Sequence, residues 1–112
     1  MIEKEKRVNR ALFLATSRGG RVFDSAHLVL RVFPSLKDGK NRFSFVVPKA
    51  VSKKAVERNL LRRRGYVAVA RVENNLKKKT INIFFFKKGS GNISYQLILE
   101  EITGLFSKAG LL

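Results

Sequence analysis

Residues 49–64 read K-A-V-S-K-K-A-V-E-R-N-L-L-R-R-R, and no other stretch restricts the fold of the chain as much. These sixteen residues hold seven cations (Lys49, Lys53, Lys54, Arg58, Arg62, Arg63, Arg64) against a single anion, Glu57. On a helix, Lys54, Arg58 and Arg62 fall at i, i+4 and i+8 and form one continuous stripe. Like charges at that spacing repel, so a folded chain keeps them only at some loss of stability. A polyanion lying across the stripe removes the repulsion. Two readings are open here: a solvated basic face, or a surface for nucleic acid.

Composition extends the argument to the whole chain. Its 112 residues include 24 Lys plus Arg and 8 Asp plus Glu, a formal net charge of +16. That length predicts one domain, 1–112, by the usual range of roughly 100–200 residues per domain. At 45% hydrophobic residues the chain has enough apolar side chains for a core and too many for a disordered basic tail. Charge so far from zero attracts nucleic acid, with acidic membranes as the competitor. Membrane attachment is the weaker option. No apolar run approaches the ~18–20 residues of a membrane span, and neither a lipidation signal nor a signal-peptide apolar segment is visible. Without cysteine there is no disulfide framework, thiolate nucleophile or Cys-ligated zinc. The expected compartment is the cytoplasm.

Along the chain, residues 8–16 predict a short helix, with Val8, Leu12 and Ala15 at helical spacing and Phe13 beside them. Arg18-Gly19-Gly20 stops it, because glycine accepts the positive φ of a helix C-terminus. Strands are expected at 21–24, 27–34 and 42–47. Leu28, Leu30 and Val32 share one face of the second, and Phe43, Phe45 and Val47 share one face of the third. Asp38-Gly39 between these two is a good hairpin signal. A central helix is expected over 51–72, despite Gly65, and its inward face has two candidates. One arc is Val56, Leu60 and Val67; the other is Leu61, Ala68 and Val72. Thr80–Phe86 (T-I-N-I-F-F-F) is the clearest strand. A last amphipathic helix, capped by Asn92 or Ser94, places Tyr95, Ile98 or Leu99, Ile102, and Leu105 or Phe106 inward. The fold class is α+β, a single-domain α/β sandwich of order α-β-β-β-α-β-α. Its four-stranded sheet is mainly antiparallel, with one βαβ crossover.

The groups an enzyme needs are mostly missing. His27 is the only histidine and sits in a strand-like segment, where a partly buried structural role is expected. Asp24, Asp38, Glu57 and Glu73 are scattered, and no Walker-type glycine loop is present. Alone, the chain reads as a binder.

V-V-P-K-A-V-S-K-K-A-V-E-R-N-L-L-R-R resembles the signature of the bacterial ribonuclease P protein subunit, in which a basic turn leads into a helix carrying R-N-R-x-K-R. The likeness covers most of the chain. Phe13, seven residues before Gly20, is similar in placement to the Phe of the family's F-x-x-V-F-x-x-G-x-x-F segment, and Phe23 matches the closing Phe. L-V-L-R-V-F resembles the second strand, and I-N-I-F-F-F-K-K-G the last. The resemblance implies a ribonucleoprotein endonuclease in which the RNA subunit, using Mg²⁺, removes the 5′ leader of precursor tRNA. It implies that Lys54, Arg58, Asn59, Arg62 and Arg63 contact the RNA subunit. It likewise assigns the single-stranded leader to Phe13, with Lys49 and Lys53 in the cationic turn nearby, in a cleft between sheet and helix, and Arg31 is expected to contact the leader with them. The chemistry fits: guanidinium groups hold phosphates bidentately, and an aromatic ring stacks an unpaired base whatever its identity.

This sequence departs from the family pattern at four places. Leu60 stands for the second arginine of R-N-R, Ser17 for a second Phe, Arg31 for an aromatic and Gly65 for a helix former. Fewer stacking platforms imply a weaker grip on the leader, offset by phosphate contact from Arg31. The chain is expected to be monomeric when free. Competing functions are a structural RNA-binding protein such as a small ribosomal protein, and a standalone DNA-binding or chaperone-like module.

Overall fold

The computed structural model describes residues 7, 19–36 and 38–112. The helix expected over 8–16, together with Phe13 and Ser17, lies outside the described residues. The described elements are β1 (Arg21–Asp24), β2 (Leu28–Pro34), β3 (Arg42–Val46), α1 (Ala55–Val72), a 3-10 turn (Glu73–Asn75), β4 (Thr80–Phe86) and α2 (Tyr95–Lys108). The four strands form one sheet of order β1-β2-β4-β3. β1 with β2 and β2 with β4 are antiparallel, while β3 with β4 is parallel, as the helical crossover between them requires.

The burial of β4 explains this order. Six of its seven residues are buried and Phe85 is half-buried, so both of its faces need cover and it takes a central place. Asp38-Gly39 therefore does not make the expected hairpin. A turn does form there, with the Gly39 N–H donating to the Leu36 carbonyl at 2.9 Å and φ at +65°. It carries the chain past the β4 position to the far edge, and β4 later inserts between β2 and β3. The hairpin is instead β1–β2, closed by the Ser25 N–H donating to the Leu28 carbonyl at 2.9 Å.

Alternation along the strands sorts the side chains as expected. Leu28, Leu30, Val32, Phe43, Phe45 and Val47 join the main core beneath the helices. Phe45 stacks on Phe84 at 4.8 Å, and Phe106 of α2 meets the Phe84 ring edge-on at 5.5 Å. Phe33, Ile81 and Ile83 form a second cluster on the opposite face, joined by the partly buried Val46 and Phe85. At the outer edge of β3, Arg7 makes a parallel bridge to Phe43, and its guanidinium lies 4.7 Å over the Tyr66 ring.

α1 starts at Ala55, four residues later than the sequence predicts. Its buried residues are Leu61, Gly65, Ala68 and Val69, and Val72 is half-buried. The second candidate arc is thus the inward one. Val56, Leu60 and Val67 are 79%, 40% and 39% exposed and face outward. Gly65 marks the closest approach of helix and sheet: a Cβ there would sit 2.5 Å from the Phe45 ring. The helix-weakening residue is what lets the helix dock. α2 is capped by Ser94, whose hydroxyl accepts from the Leu97 N–H at 3.1 Å, and it buries Ile98, Ile102, Leu105 and Phe106.

His27 has the structural role expected of it. Its Nδ1 meets Glu101 Oε2 at 2.6 Å and its backbone N–H donates to Oε1 at 2.8 Å. Ser25 Oγ donates to the same Oε1 at 2.5 Å. Both donors converge on the carboxylate and no Ser–His bond is formed, so this is a lock between the β1–β2 turn and α2 and not a nucleophile triad. Burial alone would raise the Glu101 pKa, but the hydrogen bonds from Ser25 and His27 outweigh it and hold the carboxyl below its ordinary value of 4.5. A depressed folded-state pKa stabilises fully above the unfolded value and loses that contribution as pH falls through the folded one. The melting temperature should therefore fall as pH drops below about 4.5, more steeply in the native protein than in Glu101→Gln. Parallel slopes for the two proteins in thermal melts between pH 6 and pH 3 would disprove the lock.

Candidate nucleic-acid interface

The cationic segment divides into a turn and a helix start. The turn is closed by the Val51 N–H donating to the Pro48 carbonyl at 2.9 Å, and it leaves Lys49, Lys53 and Lys54 exposed. Lys54 is the N-cap of α1 and gives no side-chain cap. Lysines at this end of a helix oppose the macrodipole, whose positive pole lies here, and Glu57 is the one acid of the first turn that offsets them.

Ser52 organises the junction. Its hydroxyl engages Glu57, and its carbonyl accepts from the Arg58 guanidinium at 2.9 Å. Sequence reading passed over Ser52 because a capping box places its acid three residues after the hydroxyl, and here the separation is five. Arg62 donates to the Asn59 side-chain oxygen one turn back, which orients the amide outward along the helix. Each guanidinium has five N–H donors, so these single bonds leave Arg58 and Arg62 donors for phosphate. Arg63 is exposed and bonds to none of the described residues. With Val56, Asn59 and Leu60 it lines a shallow hollow of about 240 Å³. Leu60, at the position where the motif carries arginine, thus adds an apolar wall to the basic surface. Arg64 is held back from this surface: it donates to the Ile93 carbonyl at 2.8 Å and ties α1 to the segment before α2.

The structure brings Lys49, Lys53, Lys54, Arg58, Asn59, Arg62 and Arg63 onto one continuous turn-and-helix unit. Arg31 is elsewhere. It lies mid-strand in β2, opposite Ile83 of β4, on the sheet face turned away from the main core. Its guanidinium carbon is 5.9 Å from the Phe85 ring centroid. Phe13, the aromatic member of the proposed leader set, lies outside the described residues. Among the described residues, no group of His, Asp or Glu could hold a metal ion, and no helix is long and apolar enough to cross a membrane.

A mixed sheet with helices on one face and an outward cationic turn-and-helix defines a class, that of small, strongly basic α+β domains. The family model described as Ribonuclease P matches residues 2–110. The chain belongs to the ribonuclease P protein family. The ribonuclease P protein component of Synechococcus elongatus is 32% identical over 107 residues, spanning 92% of this chain and 88% of that protein. That of Synechococcus sp. strain RCC307 is 37% identical over 93 residues, or 81% and 72% of the two chains. The fold is shared with the Staphylococcus aureus ribonuclease P protein, at a TM-score of 0.83 and 15% identity over 95% of this chain and 96% of that one. The Thermotoga maritima protein superposes with a TM-score of 0.73 at 18% identity, covering 86% and 89%.

Proposed function

We propose that the chain is the protein subunit of a ribonuclease P, a single RNA-binding domain that assists the removal of 5′ leaders from precursor tRNA. The observation that carries this reading is the outward cationic surface of α1 and its preceding turn, behind which the apolar arc is committed to the sheet. Lys54, Arg58, Asn59, Arg62 and Arg63 contact the RNA subunit. Lys49 and Lys53 in the turn, Arg31 on the sheet face and Phe13 hold the single-stranded leader. The phosphates are met by lysine and arginine, and an unpaired base is met by the phenylalanine ring. Phosphodiester hydrolysis and the Mg²⁺ that serves it belong to the RNA subunit. The chain is monomeric when free and works in the cytoplasm, where bacterial tRNA precursors are made.

The test is reconstitution. Added to a ribonuclease P RNA at low Mg²⁺, the chain should restore leader cleavage, and alone it should cleave nothing. Activity in RNA-free protein that disappears on replacing one of its own carboxylates would refute the division of labour.

Phe13→Ala should weaken precursor tRNA binding by about 1–3 kcal/mol, the range for one base–aromatic stack, while mature tRNA binding stays unchanged. If Phe13 is instead a core residue, the variant should lose about 3–5 kcal/mol of folding stability and fail in every assay alike. Thermal unfolding beside the two binding assays separates these outcomes.

A further inference from the structure

At the end of the sheet remote from the basic turn, Gly20, Val32, Phe33, Pro34, Ser35 and Thr80 line a cavity of about 460 Å³. β1 begins here, β2 ends and β4 begins. Its floor is apolar: Val32 and Phe33 are buried, at 4% and 8% exposed, and Pro34 beside them is exposed. Gly20, with φ at +80°, is pressed so closely against this floor that a Cβ would lie 2.8 Å from the Phe33 ring and 2.9 Å from the Val32 carbonyl. Three cations, Arg21, Lys78 and Lys79, stand at the rim. Arg21 is partly engaged, donating to the Ala109 carbonyl at 3.0 Å. Lys78 and Lys79 are exposed and bond to none of the described residues.

We infer that this cavity is a second RNA subsite, taking one unpaired nucleotide with its base against Phe33 and Pro34 and its phosphate on Lys78 and Lys79. An apolar floor accepts a base face, and two ammonium groups with no partner among the described residues accept the adjoining phosphate. The volume suits a ligand of that size, within the roughly 300–1,000 Å³ of small-molecule sites. A purely apolar ligand would leave the rim cations unused, and an anion without a flat apolar part would leave the floor bare. The inference rests on the RNA-binding reading above and extends it. β2 runs from the basic-turn end to the cavity, about 20 Å at roughly 3.3 Å per residue. At about 3.4 Å per stacked nucleotide that gap holds some six nucleotides, fewer if the strand is extended. One RNA strand passing Arg31 would reach both ends. The nucleotide comes either from the leader or from an unpaired stretch of the RNA subunit.

Octaadenylate titrated into the full chain, followed by backbone amide shifts, tests the subsite. Shifts are expected at Gly20, Ser35, Lys79 and Thr80 together with the turn at 49–53. In Lys78→Ala/Lys79→Ala the cavity shifts should disappear while the turn still responds. The log–log salt dependence of octaadenylate affinity should flatten by about 1.4, two contacts at roughly 0.7 each for single strands. Arg71→Ala/Lys77→Ala, which removes equal charge outside the cavity, should keep the cavity shifts. If the turn responds and the cavity does not, or the cavity shifts survive the Lys78/Lys79 change, the subsite is wrong and the leader reading stands. Silence at both ends overturns both. In the reconstituted holoenzyme, a defect confined to precursor tRNA with an eight-nucleotide leader, absent with a one-nucleotide leader, assigns the nucleotide to the leader. An equal defect in assembly with the RNA subunit assigns it there.

Discussion

Replacing Arg58, Arg62 and Arg63 together by alanine should abolish most of the salt-sensitive affinity for the ribonuclease P RNA. Each phosphate neutralised contributes roughly 0.7–0.9 to the slope of log affinity against log salt, so three lost contacts flatten it by about 2–2.7. Over a fourfold range of salt that difference alone changes relative affinity by more than tenfold. The three arginines are not equivalent. Arg63 is exposed and bonds to none of the described residues, so its replacement should act on binding alone. Arg58 also closes the turn onto the Ser52 carbonyl, and Arg58→Ala carries a stability loss of about 1 kcal/mol for that hydrogen bond. Filter binding across a salt series, beside a thermal melt, separates the two contributions. Unchanged affinity and slope in a folded triple variant would remove α1 from the RNA interface.

Gly65→Val should destabilise the fold. Helix propensity alone predicts a small gain for replacing glycine in a helix. Packing decides the other way, because the first carbon added already meets the Phe45 ring at 2.5 Å. That ring is itself fixed, stacked at 4.8 Å on Phe84 and met edge-on by Tyr66 at 5.0 Å. It cannot move without disturbing the centre of the core. Overpacking of this kind costs about 1–3 kcal/mol, and the branched valine belongs at the upper end. Urea unfolding should show a lowered midpoint, and Gly65→Ala should fall between the two. A midpoint equal to or above that of the native protein would mean that helix and sheet do not meet there.

How much of this was legible in the sequence depends on which force set each element. Strands whose residues alternate, such as L-V-L-R-V-F, were readable because burial on one face imposes a period of two. Both described helices were found, and Ser94 was among the caps foreseen. The hairpin at Asp38-Gly39 was misread because turn residues report that the chain reverses, not which strand it will lie beside. The continuous apolar run of β4 held that information. The inward face of α1 was left open because the residue closest to the sheet is a glycine, which carries no hydrophobic signal. The start of α1 was misplaced because Val51 to Lys54 has nothing that forbids a helix; the hydrogen bonds of Ser52 draw it into a turn. The basic residues were the most legible part of the interface. The Phe33 cavity was not visible at all, since its walls come from three separated segments that only the sheet assembles.

The place of β4 between β2 and β3 has a consequence for the birth of the protein. Made from its N-terminus, the chain completes β1 and β2 as a local hairpin, then emits β3 with no neighbouring strand to receive it. α1 follows, still without the finished surface that buries Leu61, Ala68 and Val69. Only when residues 80–86 emerge does one strand join both halves, pairing with β2 on one side and β3 on the other. The sheet can close only after these residues are made, and closure is slowed because loop-closure entropy is spent before the long-range pairs form. Until then a nascent chain exposes its cationic helix beside unpaired strand edges.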